Sequence, residues 1–500
     1  MLFSFENLHR QYLACRRNKR NTANALRFEV RQEEHLLALR EALASHTYAP
    51  GRSVCFLCKR PKLREIFAAD FRDRVVHHVL VDYLERIWEP IFIHDSYACR
   101  TGKGVHAGVK RLQTFIRQAS ANGTRPAWYL QLDIHNYFMS IDKPVLFGLL
   151  AAKMDDPDAL WMAQVLVFHD CTQDYVMKGV KGDVGLYGKL PPHKSLFGCA
   201  PEKGLPIGNL NSQFFANVYL NGLDQFVKHE LKCRWYLRYC DDFVLLSTDR
   251  AQLVEWRDRI EGHLREALRL ELNPTRERLR PVSDGVDFLG YIVRRDYLLV
   301  RRRVVGHLRE RLRQFEQALL LDGPGYRRYR FDAAALDELQ AVLASYLGHF
   351  KLADSYRLRQ GLWRDFPFLG EYFGMDLASG TLRRRDKTPP GLRGVARQYR
   401  HFRRCFLGDV LFFQVGKFIE FYQPGDVLVA ADLGLQPMAR NRRGARYGFP
   451  LAHSGGHLLS LLAKGRSVTL IGESGRFGDG VKERVPRYRF ESRASMPLNQ

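Results

Sequence analysis

Cysteine is sparse and unpatterned, with nine scattered residues in 500, an odd count. That excludes a disulfide-stapled secreted fold, and a reduced, cytoplasmic compartment is expected. Cys55 and Cys58 form one Cys-x-x-Cys pair. A zinc site needs two more ligands at similar spacing, and there is no second such pair, so a structural role is expected. Long apolar runs are also missing. Nothing approaches the ~20 apolar residues of a membrane span, and Met1–Asn7 lacks the basic-then-apolar plan of a secretory leader. The Gly102-Lys103-Gly104 stretch is not a Walker loop, because the lysine-serine/threonine ending and the spacing are both absent. Acidic residues are few: 54 Asp and Glu against 78 Lys and Arg leave a net charge of +24. That balance favours a polyanionic partner, nucleic acid before membrane. With 46% hydrophobic residues, the chain is a folded protein rather than a basic disordered tail.

What is present is organised around residues 234–246, Arg-Trp-Tyr-Leu-Arg-Tyr-Cys-Asp-Asp-Phe-Val-Leu-Leu. Two runs rich in aromatic and branched residues flank adjacent aspartates, which places Asp241 and Asp242 at a hairpin turn on the edge of a buried sheet. A solvated turn more usually offers Asn-Gly or Asp-Gly. Two carboxylates held there are costly unless a cation neutralises them, and hard oxygen ligands suit magnesium. A third carboxylate, Asp133, ends the strand-like run Trp-Tyr-Leu-Gln-Leu-Asp, with Phe138 five residues on. One aspartate at a strand end and two in a hairpin turn can hold two metals, the arrangement that serves in-line phosphoryl displacement. Phe138 is placed under the sugar of an incoming nucleotide, with a simple core role as the alternative.

The length suggests about two to four domains. Residues 1–50 read as a basic helical region, with the charge run Cys15–Arg20 and an amphipathic stretch over 31–45 through Leu36, Leu37, Leu39 and Leu43. It is either a template-contacting arm or a solvated helix face. Residues 51–80 read as a basic strand pair followed by a helix from about residue 71. Arginine forks there, Arg64 and Arg72 among them, match phosphate oxygens. Gly104 before a helix marks a backbone-phosphate contact with Lys103. Pro206 and Gly208 break the chain, and Asn209 caps the apolar helix that follows. Asp287–Tyr291 reads as a short hairpin, and 303–321 and 333–349 as amphipathic helices. Residues 370–397, with Gly380, Arg383–Arg385 and Pro389-Pro390-Gly391, read as a basic punctuated linker, and a small α/β unit follows.

In this order the chain resembles a reverse transcriptase. Arg64 and Phe71–Arg74 resemble the fingers motif, Leu132-Asp133 with Phe138 the first catalytic motif, Tyr239–Asp242 the Tyr-x-Asp-Asp box, and Leu289-Gly290-Tyr291 the hairpin after it. Ile207-Gly208 through Ser212-Gln213 narrows the resemblance to the enzymes of diversity-generating retroelements, where most reverse transcriptases carry Gln-Gly and a Ser-Pro ending. Ser96–Arg100 and Lys103–Val109 are similar to that family as well. The resemblance implies catalytic Asp133, Asp241 and Asp242, and two magnesium ions (or manganese) held by these with Ile134. It implies a nucleotide site of Arg64, Arg72, Phe138, Ile207 and Gly208, with Arg64 and Ile207 setting fidelity, and nucleic-acid contacts at Lys103 and Arg111. The implied partners are deoxynucleotides, a template RNA copied with errors opposite adenine, the cDNA and its target DNA, and a small basic accessory protein. The implied setting is the cytoplasm, bacterial, archaeal or phage-encoded. Ile207 agrees with this on physical grounds, since an apolar wall in place of a polar reader weakens discrimination.

Residues 398–490 resemble the N-terminal mismatch-recognition domain of the repair protein MutS. There a Phe-x-Glu pair wedges against a mispaired base, and Phe418 and Glu420 match it, although Lys417 and Ile419 replace an aspartate and a tyrosine. Arg442 and Arg443 are expected to hold phosphates beside them. Neither the clamp nor the ATPase of MutS is present. The expected architecture is α+β: a right-hand polymerase with fingers and palm over 51–295 and thumb over 296–370, a linker at 371–397, a MutS domain I-like unit at 398–492 and a tail at 493–500. The alternatives are a retron-like, group II intron-like or defence-associated reverse transcriptase, or a catalytically silent RNA-binding protein.

Overall fold

The computed structural model describes every residue except 18–21, 60–61, 180–183, 388–391, 393, 423–425, 442–443, 479 and 494–500. It divides the chain into two compact units, Met1–Asp296 and Tyr297–Gln500. Among the described residues no helix is long and apolar enough to cross a membrane.

The first unit opens with three helices, Phe5–Arg16, Ala23–Val30 and Gln32–Ala44. Ser4 caps the first by accepting from Asn7 N at 3.3 Å. Leu8, Tyr12 and Cys15 recur at helical spacing and are buried, as are Leu36, Leu39 and Leu43. These residues share one core with Phe71, Val75 and Val79 of the helix Phe71–Trp88. The N-terminal helices are therefore docked on the core of the first unit, not extended from it as an arm.

Two sheets carry the site. Strands β1 (Ser53–Cys58) and β2 (Arg64–Ala68) pair antiparallel, and β3 (Trp128–Asp133) belongs to the second sheet. Strand β4 (Tyr175–Met177) joins β1 in parallel. Strands β5 (Trp235–Tyr239), β6 (Asp242–Ser247) and β7 (Arg278–Pro281) complete the second sheet, in the order β5-β6-β3-β7. Leu130, Leu132, Phe243 and Leu245 enter the main core from one face, and the helix Val105–Ala119 packs on β5 and β6. Burial on both faces explains why β6 reads as an unbroken apolar run. Strands β8 (Val286–Phe288) and β9 (Tyr291–Val293) form the expected short hairpin. Leu289 and Gly290, at φ +50 and +91, form its turn.

The second unit departs from expectation. Helices Arg302–Leu319 and Ala333–Phe350 form as predicted, but a hairpin, Leu320–Gly323 with Tyr326–Arg330, joins them. Tyr326–Arg330 then pairs antiparallel with Val481–Ser492, Tyr326 opposite Ser492 and Arg330 opposite Tyr488. The thumb hairpin thereby becomes the edge of an eight-stranded sheet containing Val468–Gly478, Val410–Val415, Phe418–Phe421, Gly444–Pro450 and Pro437–Asn441. One apolar cluster runs from Leu308, Leu312 and Leu343 through Tyr372 and Tyr399 to Phe413 and Ile471. Arg489 donates to Asp409 at 2.8 Å and to Glu371 at 2.9 Å, while Tyr329 donates to Glu491 at 2.9 Å.

Residues 371–397 are thus not a linker. Phe373–Asp376 and Thr381–Arg384 form a hairpin, with Gly380 at φ +69 in its turn. The arginine that suggested a solvated run, Arg384, is nearly buried between Asp386 and Asp337. Pro389, Pro390 and Gly391 lie outside the described residues. Residues 302–350 and the C-terminal segment share one sheet and the cluster around Phe413 and Ile471, while Val410, Phe412, Ile419, Phe421, Phe449 and Leu461 form a second core within the C-terminal segment.

Candidate active site

The three aspartates meet at one end of the palm sheet. Asp133 ends β3 opposite Asp242, the first residue of β6. Tyr239 pairs with Asp242, which leaves Cys240 and Asp241 as a two-residue turn. Cys240 takes φ +56 there, a left-handed conformation that costs a residue with a side chain of order 1–3 kcal/mol. Two contacts offset that cost. Ile134 N donates to Asp241 O at 3.2 Å, and Arg238 Nη1 donates to Cys240 O at 3.1 Å.

Arg238 is fully buried. It grips Asp224, on the helix Leu210–Gln225, with two bonds, Nε to Oδ1 at 2.8 Å and Nη2 to Oδ2 at 2.6 Å. Tyr236 Oη donates to the same Asp224 at 2.7 Å. Arg238 Nη1 also reaches Asn217 Oδ1 at 3.3 Å, and Asn217 Nδ2 donates to Ala98 O at 2.8 Å. The aspartate-bearing turn is therefore pinned from beneath by a satisfied buried network, of the kind that fixes one geometry.

The carboxylates themselves are under electrostatic load. Burial pushes the Asp242 carboxyl up to about 7, with Asp241 and Asp133 adding to the effect and a hydrogen bond from Gln131 opposing it. Burial and the neighbouring Asp133 also raise Asp241, and the charge of Arg64 acts against that rise. Asp133 accepts from Asn273 Nδ2 at 3.0 Å and from Arg276 Nη1 at 2.9 Å. Among the described residues no group of three His, Cys, Asp or Glu side chains is spaced to hold a metal ion. The donor chemistry nevertheless fits a hard divalent cation: three carboxylates share one corner, two resist ionisation, and the arginine lies on the third.

The residues expected around the nucleotide divide into two groups. Arg64 begins β2, exposed, and its charge reaches Asp241. Phe138 and Ile207 pack into one small cluster with Cys55, Phe67 and Met139. Ile207 O accepts from Phe67 N at 3.0 Å. Gly208 is required by that approach, since at φ +122 an added Cβ would sit 2.7 Å from Ile66 Cγ2. Asn209 stands at the helix N-cap, but its side chain accepts from Ala69 N instead of capping the helix. Arg72, by contrast, stacks on Tyr48 at 5.0 Å and donates to Ala49 O.

The expected phosphate contacts Lys103 and Arg111 are committed within the protein. Lys103 Nζ donates to His94 O at 3.0 Å and lies over the Tyr97 ring, and Arg111 Nε donates to Asp95 at 2.8 Å. Cys55 and Cys58, three apart on β1, fall on opposite faces of the strand, which rules out chelation by the pair.

In the second unit Phe418 is 40% exposed beside the Gly416-Lys417 turn. Glu420 corrects the expectation of a base-reading carboxylate. It is buried, accepts a short hydrogen bond from Tyr422 Oη and pairs with Arg446 at 3.6 Å. A carboxylate inside a sheet takes the nearest internal donors. Arg442 and Arg443 lie outside the described residues. Sequence reasoning missed Gln131, Asn273, Arg276 and the Arg238–Asp224 pair. The one available signal was Arg238, a lone cation in an apolar strand.

Asp241 and Asp242 on one hairpin and Asp133 at the end of the neighbouring strand thus form one carboxylate corner at the end of this sheet. Residues 58–293 match the reverse transcriptase (RNA-dependent DNA polymerase) family, and 393–487 match MutS domain I. Residues 58–293 thus form a reverse transcriptase domain, an RNA-directed DNA polymerase, in a chain of α+β fold with a C-terminal MutS domain I region. The chain is 26% identical over 335 residues to Protein YkfC of Escherichia coli K12, covering 59% of this chain and 81% of that one. It is 25% identical over 254 residues to the group II intron-encoded protein LtrA of Lactococcus lactis, covering 49% of this chain and 38% of that protein. Telomerase from Candida albicans in complex with a telomeric RNA fragment aligns at 13% identity and TM-score 0.34, over 60% of this chain and 54% of that one. Apo telomerase from Candida tropicalis aligns at 11% and TM-score 0.38, over 52% and 59%.

Proposed function

We infer that this enzyme is an error-prone polymerase of the diversity-generating type, which copies a template-repeat RNA into cDNA mutagenised at adenines. The observation that carries the reading is Ile207. It packs on an apolar cluster with Phe138 and Phe67, where its side chain offers shape but no hydrogen bond. A site that cannot hydrogen-bond its substrate discriminates weakly between similar ones. Ile207→Gln is expected to lower misincorporation opposite template adenine more than opposite the other bases. Sequencing of the cDNA checks this, and an unchanged adenine error rate would count against it.

Magnesium suits the carboxylate corner, with Asp133, Asp241 and Asp242 and the backbone of Ile134 as its holders. When bound, such ions stabilise the attacking and leaving oxygens of an in-line displacement. The chain's own residues orient the reactants: the Arg238 network fixes Asp241, Arg64 supplies positive charge near the site, and Phe138 lies beneath the sugar. Phe138→Ala is expected to admit ribonucleotides about tenfold more readily, because an aromatic wall beside the 2′ carbon leaves no room for a hydroxyl. Single-nucleotide incorporation with paired deoxy and ribo substrates measures this, and an unchanged preference would reduce Phe138 to a core residue.

Template RNA, cDNA, target DNA and deoxynucleotides are the proposed partners, together with a small basic accessory protein. The C-terminal region is proposed to read distorted duplex through Phe418, without Glu420. A second reading, an intron-type reverse transcriptase with no mutagenic role, is favoured by the resemblance to the intron-encoded relative. The same cDNA sequencing separates the two.

A further inference from the structure

The hairpin formed by Val468–Gly478 and Val481–Ser492 ends in an aromatic outside every core of the unit. Phe477 is 69% exposed and pairs across the hairpin with Lys482. Between Glu473 and Phe477 the register shifts, and Gly475 takes φ +80. A bulge of this kind bends a strand and re-aims its end.

The base of the bulge is tied to the neighbouring hairpin. Glu473 Oε1 accepts from Gly416 N at 2.9 Å and from Arg484 Nη2 at 3.1 Å. Its Oε2 accepts from Lys482 Nζ at 2.8 Å, and its backbone N donates to Gln414 Oε1 at 3.1 Å. Gly416 and Lys417 form the turn that presents Phe418. One carboxylate thus holds two hairpin ends together, each with an exposed phenylalanine, and exposed Lys417 and Arg476 flank them.

Charge selects the occupant. A protein whose net charge is +24, with cations beside two solvent-facing rings, suits phosphates and base faces together. Aromatic platforms beside a basic track are how proteins hold nucleic acid without reading its sequence. We propose that Phe418 and Phe477 are two prongs of one nucleic-acid-binding edge, Phe477 stacking on a base while Lys417 and Arg476 meet the backbone. This rests on the reading of the C-terminal region as a nucleic-acid binder and extends it to a second contact on a separate hairpin.

The test uses the full chain and a dumbbell DNA duplex closed by loops at both ends, carrying one mismatch. Such a duplex offers the polymerase site no primer terminus. At fixed salt, Phe477→Ala is expected to weaken binding about tenfold, Phe477→Trp to stay within about twofold of the parent, and the Phe418→Ala/Phe477→Ala double variant to lose more than either single one. Phe477 is exposed on a hairpin end, so the substitution leaves the core intact. If Phe418→Ala weakens binding and Phe477→Ala does not, the second prong is overturned and the nucleic-acid reading stands. If neither does, both fall.

Discussion

Asp241→Asn is expected to cut DNA synthesis on a primed RNA template by about a hundred- to a thousandfold, while RNA binding stays within a few-fold of the parent. Removing one preorganised charge-stabilising group from a transition state costs on the order of 10²–10³ in rate. Asp241 is also the turn residue whose carboxylate is already loaded by burial and by Asp133. Asparagine keeps the shape of the turn and the carbonyl that accepts from Ile134 N, so the loss reports charge and not folding. Primer extension with labelled deoxynucleotides measures it. Extension at the parental rate by the variant would remove Asp241 from the chemistry.

The second large effect is expected beneath that turn. Arg238→Leu leaves Asp224 buried with Tyr236 as its remaining side-chain donor. Breaking a buried pair by removing one partner costs about 3–5 kcal/mol, and urea denaturation of the full chain should show a loss of that size. Arg238→Lys separates stability from positioning. It keeps the charge beside Asp224, but a point ammonium lacks the fork that reaches Asp224, Asn217 and Cys240 O together. Its kcat is expected to fall at least about tenfold with KM for deoxynucleotides little changed, because the turn is no longer pinned. Parental kcat for Arg238→Lys would show that the network only stabilises the fold.

The site was legible where its chemistry lies in contiguous residues. The Asp241-Asp242 hairpin, the strand ending at Asp133 and the Leu289-Gly290 turn each combine strand-forming runs with a local break, so pattern alone places them. The residues that orient them were not legible. Arg238 and Asp224 lie on a strand and a helix, and only the folded core shows that each satisfies the other. Arg276 and Asn273 reach Asp133 across about 140 residues. Glu420 was misread because alternation along Phe418–Phe421 puts it on the same face as Phe418 without saying that Tyr422 and Arg446 wait beside it. The linker was misread for a related reason. Glycine, proline and arginine look solvated in sequence, whereas the pairing of Tyr326–Arg330 with Val481–Ser492 is set by a register that leaves no local mark. Its consequence is structural: Val481–Ser492 pairs into the same sheet as Tyr326–Arg330, with no free linker between them among the described residues.

We propose that this chain makes DNA whose errors are chosen by the template base. The measurement that tests it most directly is a single round of synthesis by the full chain on a primed RNA of defined sequence, rich in all four bases, followed by sequencing of each cDNA. The account predicts DNA product with substitutions concentrated opposite template adenines, and a smaller adenine excess for Ile207→Gln. Product that is as faithful at adenine as at guanine, cytosine and uracil would contradict it.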